Sequence, residues 1–288
     1  MADLLSGLES LGLGDLSGLD IYNKKESASK KDDEPKKEAT VKIEETDFLF
    51  DKKFECPVCN KSFKTKMIRA GKVRLEKIDT DLRPIYENVD TLKYDAIVCP
   101  HCGYAALNRF FSYVTHKHAK IIKESISANF VNTFDDLPTY SYEDAIKRHK
   151  LALLNDVMKR AKDSEKAYTC LKLAWLHRGY IEHLSAETED FANKVRGLKA
   201  EEISFLEKAY EGFKAAFTTE EFPMCGMDDL TVAYMIGDIA RQLGKYEEAA
   251  KQVSLVLTSR KPNDRIKEKA RDLRDMIKEE IRSLGGSR

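Results

Sequence analysis

No stretch of this chain approaches the ~20 consecutive apolar residues that a membrane-spanning helix needs. Its start, Met1-Ala2-Asp3-Leu4-Leu5, lacks the basic region and continuous apolar core of a secretory signal. Net charge is missing too: 49 Lys plus Arg balance 49 Asp plus Glu, so a bulk polyanion binder is not indicated and only local charge is informative. There is no Gly-rich phosphate loop, nucleophile elbow or His-Glu-x-x-His sequence. Carboxylates are abundant but fall on charged helix faces, where solvated pairs are the ordinary arrangement. These absences lead to the expectation of a non-enzymatic, cytoplasmic protein with no membrane partner.

Cysteine is scarce, six in 288 residues, yet four of the six stand in two C-x-x-C pairs, Cys56-Pro57-Val58-Cys59 and Cys99-Pro100-His101-Cys102. That usage fits a reducing compartment better than a disulfide scaffold. Each C-x-x-C turn delivers two thiolates from one tight loop, and two such turns can close a tetrahedral site at about 2.3 Å from Zn. Cys56, Cys59, Cys99 and Cys102 are therefore the expected metal ligands. Iron in a rubredoxin-like four-sulfur site is the competing assignment, because both metals accept tetrahedral thiolate. Four thiolates leave no open position for a metal-bound water. The 39 residues from Asn60 to Val98 exceed the ~15–20 of compact zinc ribbons, so the interval holds more than one hairpin.

Residues 1–45 separate from the rest by composition. Met1 to Tyr22 repeats Leu with Gly7, Gly12, Gly14 and Gly18, and Asn23 to Glu45 carries seven Lys and seven acidic residues. Four glycines at ~1 kcal/mol each oppose a stable helix, and the charged stretch reads as a solvated linker. From 46 to 104 a small zinc-ribbon-like β domain is expected. Ser62 to Ile68 and Val73 to Ile78 alternate around Ala70-Gly71 as a hairpin, Pro84 marks a loop or edge strand, and Tyr94 to Val98 runs extended into the second cysteine pair.

Helical spacing begins after Tyr104. Leu107, Phe110, Phe111, Val114, Ile121 and Ile122 predict one amphipathic helix over Ala105 to Ser125, within a connecting segment 105–138. Residues 139–288 read as helices with breaks near Ala161 to Ser164, at Phe222-Pro223 and at Lys261-Pro262-Asn263. Three segments share a small residue followed by positions +4 and +7: Ala145 with His149 and Ala152, Ala209 with Phe213 and Ala216, and Ala249 with Val253 and Val256. This is the second-helix spacing of a tetratricopeptide-type hairpin. Leu171, Ala174 and Trp175 in one first helix and Ile236 and Gly237 in another fit the same scheme. An insertion is expected over Ser185 to Ala200, and a closing helix over Asn263 to Leu284. The fold class is α+β, mainly α.

At this point the chain resembles the bacterial domain of unknown function 2225 family. The resemblance rests on Phe54-Glu55-Cys56-Pro57-Val58-Cys59, on Val98-Cys99-Pro100-His101-Cys102-Gly103-Tyr104-Ala105-Ala106 and on Tyr142-Glu143-Asp144-Ala145-Ile146. It covers about Glu45 to Ile281 and implies a metal-binding N-terminal part joined to tetratricopeptide-like helices, with no assigned activity.

Two partner classes follow. A helical scaffold binds a protein segment. The second reading is nucleic acid held by the basic stretch Lys61 to Lys77, in which Lys64, Lys66, Lys72 and Arg74 are the cations to test and Phe63 a stacking ring. Between Asp51 and Lys120 there are 14 basic and 8 acidic residues. Histidines add little. His101 reads as solvent-facing, His116 and His118 point to different helix faces, and His177 and His183 have no carboxylate or cysteine at ligand spacing. Cys170 reads as a small buried hydrophobe and Cys225 as a loop thiol.

Overall fold

A computed structural model describes residues 43–285. The leucine–glycine tip and almost all of its linker lie outside the described residues. Strand β1 (Leu49–Glu55) pairs antiparallel with β2 (Ser62–Ile68), β3 (Leu75–Ile78) with β4 (Pro84–Tyr86), and β5 (Ala96–Val98) with β6 (Ala105–Leu107). Helix α1 (His116–Ile122) continues into a π turn at Lys123–Ser127. Then come α2 (Tyr142–Met158), α3 (Asp163–His183), α4 (Phe191–Thr219), α5 (Asp229–Gln242), α6 (Tyr246–Thr258) and α7 (Asp264–Gly285). The chain is α+β and mainly α. Among the described residues no helix is long and apolar enough to cross a membrane.

Three local expectations need correction. β2 pairs with β1, not with residues 73–78: Phe54 stands opposite Phe63 and Leu49 opposite Ile68. The connecting turn is the first cysteine loop itself, so no glycine turn announces it. β3 pairs instead with β4, and Pro84 sits at the strand's first residue, where its missing N–H costs no central ladder bond. Ala105 to Leu107 is a strand, not the start of a helix, because the second cysteine loop folds it back on β5. Phe110 and Phe111 follow in turns, and the helix waits until Thr115, whose side chain accepts a hydrogen bond from His118 N–H. Finally, the expected insertion is a loop only up to Asp190; residues 191–200 are the first turns of the 29-residue α4.

The helical part is built by packing sequential neighbours. α2 opens with a capping box, in which Ser141 Oγ accepts from Asp144 N–H and Asp144 Oδ2 accepts from Ser141 N–H. From Asp163 to Ile181 no α3 residue is fully exposed, so this helix is the centre of the array, covered all round, with its charged residues such as Lys172 and Arg178 paired to carboxylates. Small residues set the spacing. A Cβ added at Gly212 of α4 would lie 2.9 Å from Ala167 Cβ on α3, and one at Gly237 of α5 would lie 3.3 Å from Gln252 Cβ on α6. Leu171, Leu173, Leu176, Phe213, Tyr234, Ile236 and Val253 fill the shared core.

Two sets of contacts tie the β elements to the helices. α2 packs on β5 and β6. The loop between β3 and β4 docks on α3, α4 and α5 through a largely buried polar network. Arg178 binds Asp81 at 2.8 Å and Glu202 at 2.8 Å. Thr80 Oγ1 donates to Asp238 Oδ2 at 2.9 Å, Tyr234 O–H donates to the Thr80 carbonyl at 2.7 Å, and Arg241 joins Asp238 to Glu280.

Candidate metal centre

The two cysteine loops have the same backbone. In the first, Cys56 C=O accepts from Asn60 N–H at 2.8 Å and Cys56 N–H donates to Lys61 C=O at 3.1 Å. In the second, Cys99 C=O accepts from Gly103 N–H at 3.0 Å and Cys99 N–H donates to Tyr104 C=O at 2.8 Å. The fifth residue of each loop is left-handed, Asn60 at φ 60° and Gly103 at φ 72°. Asn tolerates that region and Gly prefers it. Space also requires glycine at 103, since an added Cβ would fall 2.5 Å from the Phe130 ring.

Both loops sit at hairpin tips, and the structure brings all four expected ligands together: the Sγ atoms of Cys56, Cys59, Cys99 and Cys102 lie within 4.8 Å of one another. Cys56 and Cys102 are 3.6 Å apart, Cys59 and Cys99 3.7 Å. A tetrahedron with ~2.3 Å metal–sulfur bonds has edges of ~3.8 Å, so the set fits such an ion. Cys56, Cys99 and Cys102 are buried and Cys59 is half-buried.

Burial and crowding split the thiols. Hydrogen bonds from Cys102 and Cys56 hold the Cys99 thiol far below the usual range, at about 2. Bonds to Cys56 and Cys99, with burial, push Cys102 well above it. Cys56, lowered by Cys102 but raised by Cys99 and burial, ends at about 12. Full ionisation needs a cation, and metal binding accordingly releases protons.

The surroundings are apolar and held from outside the loops. Phe54, Phe63 and Phe111 contact one another with centroids 5.6 to 6.2 Å apart, and Tyr104 packs on Phe111 at 4.9 Å. Tyr104 O–H donates to the Phe111 carbonyl, Ser127 Oγ to the Cys102 carbonyl at 2.8 Å, and Asn155 Nδ2 on α2 to the Gly103 carbonyl at 3.1 Å. Ser127 and Asn155 carried no signal in the sequence, because nothing local links them to a cysteine loop 25 or 52 residues away.

The remaining candidates are dispersed. His101 is exposed, with Nε2 3.3 Å from the Ser62 carbonyl. His116 is exposed and His118 half-buried on α1. His177 is buried and does have a carboxylate, Glu201 of α4 at 3.3 Å, which its sequence spacing hid. His183 Nδ1 sits between the Gly179 carbonyl and Tyr142 O–H. Cys170 is buried in the helical core, and Cys225 donates its S–H to the Ser164 carbonyl. Of the basic stretch, Lys64 and Lys72 are exposed, Lys66 pairs with Asp51 at 2.8 Å, and Arg74 stands 3.5 Å from Glu87.

A family model described as an uncharacterized protein conserved in bacteria, DUF2225, matches residues 49–277, a span that includes all four cysteines. No curated protein and no solved structure matches the chain.

Proposed function

Since the chain belongs to DUF2225, a bacterial family without an assigned activity, we propose its role from its own geometry: a cytoplasmic zinc-binding protein that acts as a non-enzymatic protein–protein interaction scaffold. The observation that carries this reading is the closed set of four cysteine sulfurs, two pairs at 3.6 and 3.7 Å. Such a set saturates a tetrahedral ion and leaves no position for substrate or water. Zinc is favoured over iron on the redox-silent, structural character of such sites. A rubredoxin-like iron centre is the alternative that metal analysis and the visible absorption of ferric thiolate would reveal.

The close approach of α3 to α4 at Gly212 and of α5 to α6 at Gly237 supports reading these pairs as tetratricopeptide-like hairpins, with α7 closing the array. In that scheme α3 and α5 would face a partner, but here they hold the chain's own Asp79 to Arg83 loop. The partner is therefore expected on the free apolar stripe of α2, where Leu154, Val157 and Met158 are exposed at helical spacing. Co-purification of the tagged chain from its own cells, with and without nuclease, tests the reading. Protein partners should survive nuclease and be lost in Leu154→Asp/Val157→Asp.

Nucleic-acid binding through Lys64, Lys66, Lys72 and Arg74 is the second reading. In register, Lys64 faces Lys53, two exposed cations side by side, which favours it; the carboxylates beside Lys66 and Arg74 weaken it. It predicts recovery of RNA or DNA that salt removes and that Lys64→Glu/Lys72→Glu abolishes. If only nucleic acid is recovered, the scaffold reading fails.

A further inference from the structure

Arg148 on α2 is a buried cation without an anion. It is 6% exposed, and its guanidinium carbon stands 4.0 Å from the Tyr140 ring centroid and 4.6 Å from that of Phe134. Its Nε is buried with no hydrogen-bond partner, and among the described residues the guanidinium makes no ion pair. The nearest acid on its own helix, Asp144, is committed to the Ser141 cap. The other buried cations of the described residues all have carboxylates: Arg83 has Asp79, Lys93 has Glu45, Lys159 has Asp156 and Lys172 has Asp95. Burying an unpaired charge costs several kcal/mol. Stacking between two rings offsets part of that through the guanidinium faces. It leaves the in-plane N–H donors without acceptors.

Arg148 lines a cavity of about 520 Å³ beside the second cysteine loop, within the 300–1,000 Å³ range of small-ligand sites. Pro100 and His101 come from that loop, Phe63 and Lys64 from β2, and Phe134 and Asn132 from the segment before α2. Asp51, paired with Lys66, and Asp135 and Asp136 also stand at this cavity, and all three are exposed. They make the site hostile to polyphosphates and to a nucleic-acid backbone, whose charges would add to theirs. A single carboxylate answers the free donors with the planar fork geometry that guanidinium prefers, and the Phe63, Phe134 and Val98 side of the cavity suits an apolar body.

We propose that this cavity binds a small monocarboxylate, its carboxylate held by Arg148 and its apolar part against Phe63 and Phe134. The role is separate from both the metal centre and the α2 stripe. The test uses the full-length, metal-loaded, ¹⁵N-labelled protein, observing the arginine Nε–Hε resonances during titration with sodium benzoate and, in parallel at matched ionic strength, with inorganic phosphate. Benzoate is expected to shift the ring-shifted Arg148 resonance saturably, with phosphate having no comparable effect. Lys64→Trp, which narrows the cavity from an exposed strand position, should weaken the benzoate response about tenfold or more, as should Arg148→Lys, which keeps the charge and loses the fork. An unmoved Arg148 resonance at tens of millimolar benzoate overturns the proposal. So does an equal response to phosphate, or a benzoate affinity unchanged in Lys64→Trp.

Discussion

Cys99→Ser is the substitution that tests the metal centre most directly. Cys99 is fully buried and sits 3.7 Å from Cys59. A structural zinc site of this type contributes about 10–16 kcal/mol in small peptides, comparable to or larger than the ~5–15 kcal/mol that stabilises a whole domain. The elements it joins have little stability of their own, since β1–β2 and β5–β6 are separate two-stranded sheets and an isolated hairpin is marginal in water. Loss of the ion should therefore release both cysteine loops and the Phe54, Phe63 and Phe111 cluster rather than shift one melting curve slightly. The release should stop at the helices, because the Asp79 to Arg83 loop is held independently by Arg178 and Asp238. The expected result is metal content falling from one ion per chain to near zero. New tryptic cuts should appear at Lys52, Lys53, Lys61 and Lys64, while most far-UV circular dichroism is kept. Cys170→Ser, which lies in the helical core, is the control and should leave metal content unchanged. Metal-free protein with the same protease resistance and thermal unfolding as the loaded form would refute the reasoning.

Other perturbations probe the rest of the architecture. Arg178→Met removes the cation shared by Asp81 and Glu202, which are 0% and 1% exposed, and leaves Asp81 with the Gln242 amide and Glu202 with Lys199. Breaking such a buried pair costs about 3–5 kcal/mol, or roughly 10 °C in Tm for a chain of this size; a fall under ~2 °C in a thermal melt would contradict it. Gly103→Ala combines left-handed strain with the Phe130 contact and should destabilise by about 2–4 kcal/mol, read by chemical denaturation together with weakened metal retention. Burial pulls His149 down to about 4, whereas an unfolded histidine protonates near 6.5. The unfolded chain thus binds more protons between those values, and stability should fall by up to ~3 kcal/mol as pH drops from about 6.5 to about 4. His149→Gln should remove that part of the slope in denaturation curves taken across the interval, while the contribution of the cysteines remains.

Local chemistry was readable and long-range chemistry was not. The convergence of the four cysteines and their placement at strand ends follow from two C-x-x-C turns, because each turn fixes its own geometry within five or six residues. The helix breaks follow from prolines and polar clusters, and the close approaches from small residues at helical spacing. The pairing of β1 with β2 stayed hidden because a cysteine loop, not an Asn-Gly or Gly turn, reverses the chain at Cys56 to Lys61. The helix expected from Ala105 failed for a related reason. Leu107, Phe110 and Phe111 match a helical period, yet Leu107 ends a strand opposite Ala96 while Phe110 and Phe111 are turn residues that pack around the second loop.

The long interval between the cysteine pairs has its explanation in the same network. A compact ribbon needs only enough chain to close its metal site, whereas this chain places β3 and β4 between its two cysteine loops and carries their connecting loop to the helices. There Thr80, Arg83 and Asp81 meet Asp238, Glu182 and Gln242, 99 to 161 residues away. Charged residues so far apart give no spacing to read, and each taken singly looks like an ordinary solvated position. Their pairing is visible only in the fold, where Asp81 and Asp238 are fully buried. A buried network of this kind, in which Arg83 Nη1 is left without a partner, fixes one docking geometry more than it adds stability. The loop covers polar surface of α3 and α5, so on the scaffold reading proposed above a partner is expected at the outer face of α2 unless the loop is displaced. Arg178→Met therefore discriminates between the two routes. If it increases partner capture, the partner takes the face the loop now covers; if capture is unchanged while Leu154→Asp/Val157→Asp abolishes it, the partner binds α2.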